Sequence, residues 1–213
     1  LKLDDDWING PEKEKRYKEQ LEADGTEYGV PFKSNYCESV MNAFLLKIAY
    51  DELAVIAGLC GKNDAKAEME ALALDLTAKV QEHCWKGDFF ARALVNRDGE
   101  YSYLGAGKDG ISADENIDGT YYLNSFSWSV LAGVATEEQI RTMLEVMKRY
   151  LVTDAGIKLC TPADLSKLAS GTASSSYFPG DRENGGVFKH AAMMAASAFL
   201  KAAKVVKDEA LAA

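Results

Sequence analysis

Two apolar stripes at helical spacing, set end to end, constrain this chain more than any other feature. Met41, Phe44, Leu45, Ile48, Leu53, Ile56 and Leu59 recur at mostly three- to five-residue intervals between Glu38 and Gly61. Met69, Leu72, Leu76 and Val80 make a second stripe that ends near Trp85, and Asn63 or Asp64 can cap its start. The glycine between the stripes predicts a tight turn, and so a helical hairpin. Further helices follow. One is expected over residues 125–131, stopping at Gly133. Thr136 and Gln139 then form a capping box for another, with Ile140, Met143, Leu144, Met147 and Leu151 on one face. The last, over about residues 190–206, is alanine-rich and apolar round most of its circumference, as suits a helix packed inside a protein. Near the start, Pro11 and Gly25 bracket a short, mostly exposed helix.

The stretches between helices are unlike them. Phe89, Phe90, Ala91, Leu94 and Val95 precede Asn96-Arg97-Asp98-Gly99, and Tyr101, Tyr103 and Leu104 follow, which predicts a β-hairpin. Gly105, Gly107 and Gly110 mark a loop, and residues 153–188 read as irregular, with Pro162, Pro179 and many Ser and Gly. Loops of this length in a helical protein usually build a site, so function is expected in them.

Composition excludes several classes. The 213 residues carry 24 Lys plus Arg against 33 Asp plus Glu, a net charge of −9, which repels phosphate backbones and argues against nucleic acid as a partner. No apolar run approaches the roughly 20 residues that span a bilayer, so no membrane span is expected. Cys37, Cys60, Cys84 and Cys160 are far apart, make no CxxC pair and fit a reduced, cytoplasmic protein. Only two histidines, His83 and His190, are present, so zinc is not expected. Residues 114–119 resemble the first half of a calcium loop, but Ser125 stands where the closing glutamate belongs. No Gly-x-Ser-x-Gly elbow exists, which disfavours a serine hydrolase.

Four collinear segments carry a family resemblance. They are Asp6-Trp7-Ile8-Asn9-Gly10; Glu38-Ser39-Val40 at a helix start; Ser127-Trp128-Ser129-Val130-Leu131-Ala132-Gly133; and the run from Tyr177 through Arg182-Glu183-Asn184-Gly185-Gly186 to His190-Ala191-Ala192. Gly87-Asp88-Phe89-Phe90-Ala91-Arg92-Ala93, after a tryptophan, is a fifth and weaker match. In order and spacing they resemble glycoside hydrolase family 94, which includes the cellobiose, cellodextrin and chitobiose phosphorylases.

The resemblance implies a mainly α fold, part of an (α/α)6 barrel with a small β-hairpin and long site-forming loops. Residues 1–213 would then be one partial catalytic domain, with N-terminal and C-terminal parts of the family domain missing. It also implies an inverting phosphorolysis of β-glucosides. One general acid protonates the leaving oxygen and inorganic phosphate, the co-substrate, is the nucleophile, so no second carboxylate is needed. No other cofactor is implied. Carried over by position, Trp7, Tyr177, Arg182 and Glu183 would contact the β-linked disaccharide or oligosaccharide. His190, at a helix start, would contact phosphate. Asp6 would be a positioning residue. The family's acid position is occupied here by Asn9, an amide that cannot donate a proton at a useful rate near neutral pH. Half a barrel would leave an open apolar face, so a homo-oligomer or a complementary chain is expected. The competing readings are a sugar-binding remnant that has lost its acid and a helical interaction module built on the 38–85 hairpin.

Overall fold

The computed structural model describes residues 37–97, 100–164, 167 and 178–212. The chain divides into two units, residues 1–38 and residues 39–213. It is mainly helical. The helix predicted between Pro11 and Gly25 lies outside the described residues.

A short extended stretch, β1 (Cys37–Ser39), leads into α1 (Val40–Leu59), and α2 (Asn63–Cys84) returns beside it. The turn is a Schellman closure. Lys62 N–H donates to the Ala57 carbonyl at 2.9 Å, and Gly61 N–H to the Gly58 carbonyl at 3.0 Å. Gly61 sits at φ +70, a backbone position that glycine reaches without strain. The predicted hairpin follows as β2 (Ala93–Arg97) and β3 (Glu100–Leu104), antiparallel with Ala93 opposite Leu104 and Arg97 opposite Glu100. Phe89, Phe90 and Ala91, read as part of its first strand, instead precede it. They are fully buried, with Phe90 edge-on to Phe44 at 5.6 Å and to Trp85 at 5.0 Å. Burial of these two rings won over strand extension.

Next come α3 (Leu123–Leu131), α4 (Glu137–Tyr150), a two-residue hairpin of β4 (Val152–Thr153) and β5 (Gly156–Ile157), and α5 (Lys189–Val206). A short 3-10 turn, Glu209–Ala212, ends the described chain. The capping box at α4 forms with both bonds present. Helix α3 packs against both α1 and α5, while α2 lies on α1 and α4 on α3 and α5. The α2 side chain Gln81 ties to the start of α4, donating to the Val134 carbonyl at 2.7 Å.

The core runs through all of these, with Phe44, Phe89, Phe90, Leu123, Phe126, Ile140, Met143, Met147 and Leu151 fully buried. Helix α5 contributes Ala191, Ala195, Ala198 and Ala202, whose small side chains allow close helix approach. Its other face differs from the all-round burial that its composition suggested: Met193 and Leu200 are exposed. Helix α1 exposes Leu45, Leu46, Leu53, Ile56 and Leu59, which share one face at 100° per residue. Trp128 is half-buried against the core. No described helix is long and apolar enough to cross a membrane.

Candidate functional site

The backbone at the starts of α1 and α3, and the segments before α3 and α5, are tied to neighbouring chain. Val40 N–H donates to the Arg92 carbonyl, Leu123 N–H to Leu159 and Leu159 N–H to Gly186. Isolated bridges add Tyr122 to Cys160, Ser112 to Ala163 and Lys158 to Val187. The segments 105–122, 158–164 and 178–188 therefore form one layer at the N-terminal ends of α3 and α5.

Buried polar side chains organise that layer. The Asp109 carboxylate, 6% exposed, accepts from Gly105 N–H at 2.9 Å, from Ile111 and Thr120 N–H at 3.2 Å each, and from the Thr120 hydroxyl. It closes the glycine-rich loop on itself, a common way to satisfy backbone donors that no strand or helix reaches. Thr161, fully buried, accepts from Tyr121 N–H through its hydroxyl at 2.9 Å. Asp88 accepts from the Tyr121 hydroxyl at 2.9 Å and from Gly107 N–H. Burial and the adjacent Asp88 carboxylate push the Tyr121 hydroxyl far above its ordinary range, and burial does the same for Tyr122. The Cys160 thiol is pushed up to about 12, chiefly by burial. Such a thiol is a small hydrophobe with a weak donor, not a nucleophile.

The loop 178–188 is a compact double turn. Gly180 N–H donates to the Asn184 carbonyl at 2.6 Å, Asn184 N–H to Asp181 at 2.9 Å and Gly186 N–H to Arg182 at 2.9 Å. Glycine is required by space: a Cβ on Gly186 would lie 2.5 Å from the Arg182 carbonyl oxygen. A Cβ on Gly185 would sit 3.1 Å from both Gly180 Cα and the Pro162 ring, at φ +114. Arg182 itself adopts φ +46, so the turn places it in a left-handed conformation uncommon for a long side chain. Arg182 and Glu183 project outward, 63% and 49% exposed, with Nε to Oε2 at 3.8 Å. His190 is exposed in the first turn of α5, edge-on to Phe188 at 5.6 Å. The N-cap residue of that helix, Phe188, makes no side-chain cap.

Arg182 and Glu183 thus lie on the loop that enters α5, and His190 in the first turn of that helix. Asp6, Trp7, Asn9 and Tyr177 lie outside the described residues. Sequence reasoning missed three things here. It did not single out Asn184, although the residue lies inside the Arg-Glu-Asn-Gly-Gly run. It passed over Phe178, 83% exposed beside Pro179-Gly180. It saw no role for Asn124, in the first turn of α3, whose Oδ1 is buried with no hydrogen-bond partner among the described residues.

Comparison with known proteins decides the family. The catalytic domain of the glycosyl hydrolase 94 superfamily matches residues 5–205. The chain belongs to that family. Similar family proteins include a cellobionic acid phosphorylase from Neurospora crassa, 30% identical over 131 residues, covering 62% of this chain and 15% of that protein. A solabiose phosphorylase from Paenibacillus borealis is 29% identical over 154 residues, 72% of this chain and 19% of its own length. An N,N'-diacetylchitobiose phosphorylase from Vibrio proteolyticus is 23% identical over 155 residues, 72% and 18% respectively. The chain therefore spans less than a fifth of the length of these relatives.

One open cleft of about 640 Å³ includes Asp88 of the weaker family match but none of the loop 178–188. It is lined by Asp88, Tyr121, Glu145, Val146, Lys148, Arg149 and Tyr150 and by none of Arg182, Glu183 or His190. Part of its lining is already engaged: Tyr150 stacks on Tyr121 with 2° between planes, and the Arg149 guanidinium lies 5.0 Å from the Tyr150 centroid. Size alone is a weak guide here, and the motif-bearing loop layer is the better candidate. The calcium-like stretch folds as a local turn. Asp114 accepts from Asn116 N–H at 2.9 Å and from its side-chain amide at 3.1 Å, and these bonds hold its carboxyl below the ordinary value. Among the described residues, no three His, Cys, Asp or Glu side chains gather as a metal cluster.

Proposed function

We propose that this family 94 chain is the part of a glycoside phosphorylase that carries sugar and phosphate contacts on one face of an (α/α)6 barrel. The observation that supports it is that Arg182 and Glu183, on the tight loop entering α5, and His190, in the first turn of that helix, fall inside the matched family region. The guanidinium and carboxylate offer donors and acceptors to sugar hydroxyls. The start of α5, where the N-cap Phe188 makes no side-chain cap, offers an anion the positive end of a helix dipole beside Lys189 and His190.

In the reaction, a phosphate oxygen forms a bond to the anomeric carbon as the glycosidic C–O bond breaks. The leaving oxygen takes a proton from a general acid, and the product is an α-glycosyl phosphate. Asn9 at the family's acid position cannot supply that proton, so Asp6 or another acid must do so if turnover occurs. The substrate class proposed is a β-linked glucoside, and the compartment cytoplasmic. The exposed apolar faces of α1 and α5 support further polypeptide packing against them, from a longer chain or from another copy.

Asn9 also supports a second reading, a sugar-binding domain without turnover. Incubation with α-glucose 1-phosphate and glucose, cellobiose or N-acetylglucosamine, followed by phosphate assay, separates the two. Phosphate release establishes the phosphorylase. Calorimetric sugar binding without release, with turnover restored in Asn9→Asp, establishes the binding remnant. Neither signal overturns both.

A further inference from the structure

We infer that Asn184 is the positioning residue of the sugar site: its side chain acts as a missing strand that fixes the turn carrying Arg182 and Glu183. This rests on the proposed role of those two residues.

Segment 161–164 pairs with 111–113 on one side through Pro162 and Asp164, and on the other side Thr161 N–H donates to the Tyr121 carbonyl at 3.0 Å. Ala113 N–H donates to the Pro162 carbonyl at 3.0 Å, and Asp164 N–H donates to Ile111 at 2.7 Å. These bonds bracket Ala163 opposite Ser112. In an antiparallel pair, a residue so bracketed turns its own N–H and C=O to the other side. There the Asn184 amide meets both. Ala163 N–H donates to Asn184 Oδ1 at 2.8 Å, and Asn184 Nδ2 donates to the Ala163 carbonyl at 2.7 Å. The carboxamide has the same donor and acceptor as a peptide group and replaces one. Only an amide of this length can do so, because aspartate lacks the donor and a hydroxyl cannot span both atoms. The orientation of the amide is also unambiguous, since flipping it would oppose donor to donor and acceptor to acceptor.

The clasp is buried, with Asn184 7% and Ala163 2% exposed, while the next residues on the same turn, Arg182 and Glu183, face solvent. The Glu183 carbonyl is held as well, accepting weakly from Cys160 Sγ at 3.4 Å. The chain immediately after Arg182 and Glu183 is therefore tied to segment 160–163. That segment is tied in turn to Tyr121 through Thr161 and to Ile111 beside Asp109. The residue between Glu183 and the two glycines sets the reach of the two side chains that precede it. A shift of about 1 Å in such a turn is enough to lose hydrogen bonds to a ligand.

The test uses the full chain, with cellobiose as a neutral probe followed calorimetrically and the melting temperature recorded alongside. Asn184→Asp keeps size and acceptor but loses the donor. Its affinity for cellobiose falls at least tenfold while the protein stays folded, and partly recovers as pH is lowered and the buried carboxyl regains an O–H donor. Glu183→Gln, which weakens binding in the native background, has much less effect in the Asn184→Asp background, because Glu183 is already displaced. Asn184→Gln retains both hydrogen-bonding groups on a side chain one carbon longer. It folds, pushes the turn away from Ala163 and lowers affinity likewise, which serves if Asn184→Asp does not fold. Native cellobiose affinity in either variant, with only the melting temperature lowered, would show a structural role and overturn the proposal. So would full additivity with Glu183→Gln. Absence of cellobiose binding by the native chain would instead overturn the sugar-site reading on which the proposal rests.

Discussion

The α1–α2 hairpin and the loop layer above α3 and α5 are both ordered, but by different means. In the hairpin, order comes from repetition. Phe44, Ala54, Ala57, Ala73 and Val80 lie buried along two stripes, and one Schellman turn joins the helices. Removing any one contact leaves the pattern in place. In the loop layer, order comes from single polar side chains that each satisfy several backbone groups: Asp109, Thr161 and Asn184. None of these has a substitute nearby. A layer built this way can hold outward-facing residues such as Arg182 and Glu183 rigidly without spending apolar surface on them, at the cost of having no redundancy.

The largest expected effect follows from that lack of redundancy. Asp109→Ala leaves three buried N–H donors and the Thr120 hydroxyl without an acceptor. At about 1–3 kcal/mol for each unsatisfied buried donor, the loss is expected to reach about 4 kcal/mol or more by urea unfolding. Phe44→Ala, deep in the hairpin, is expected to cost about 3–4 kcal/mol through its cavity. The two should differ in where the protein loosens. Hydrogen exchange in Asp109→Ala is expected to rise in residues 105–122 and 158–164, with α1 and α2 still protected. Equal loss of protection across both regions would mean that they are one cooperative unit, and the contrast would fail.

The same contrast explains what the sequence revealed. Helix boundaries were legible to within a few residues because apolar spacing, Gly61 and the Thr136–Gln139 box are local signals. The family motif was legible as a string of letters, and it pointed to Arg182, Glu183 and His190. The reason for Asn184 within that string was not legible, because its partner, Ala163, is 21 positions away and contributes only backbone. Asp109 was equally silent: a carboxylate among glycines reads as a solvated loop until its four donors are placed around it. Phe89 and Phe90 misled for the opposite reason, since adjacent aromatic residues satisfy strand propensity and burial alike, and only tertiary packing chose burial.

A smaller effect should appear in alkali, and it belongs to the loop layer. Tyr121 and Tyr122 are held protonated well above their ordinary value of 10.0, by burial first and by neighbouring groups second. The unfolded chain releases these protons near pH 10, and the folded chain resists doing so. Stability from these groups is therefore complete below about pH 10 and falls as pH rises above it, toward the folded-state values. Near-UV circular dichroism during thermal melting, between about pH 8 and 11, is expected to show the midpoint dropping above pH 10. The double variant Tyr121→Phe, Tyr122→Phe should flatten that drop. An unchanged slope would assign the alkaline loss to groups elsewhere.

The smallest effect tests where the two kinds of order meet. Thr136 accepts from Gln139 N–H at 3.3 Å, and Gln139 Oε1 accepts from Thr136 N–H at 2.9 Å, a purely local cap. The same Gln139 amide also reaches α2, donating to Gln81 Oε1 at 2.7 Å and accepting from Gln81 Nε2 at 3.1 Å. If the cap acts alone, Thr136→Ala costs about 1 kcal/mol and adds to the effect of Gln81→Ala. Gln139 is only 8% exposed, however, so the distant glutamine fixes the rotamer that the cap requires. Removing Gln81 should then shrink the cost of Thr136→Ala by roughly 0.5 kcal/mol or more in a double-mutant cycle. Coupling of that size would show that even the most legible signal in the chain depends on a tie that its local sequence does not contain.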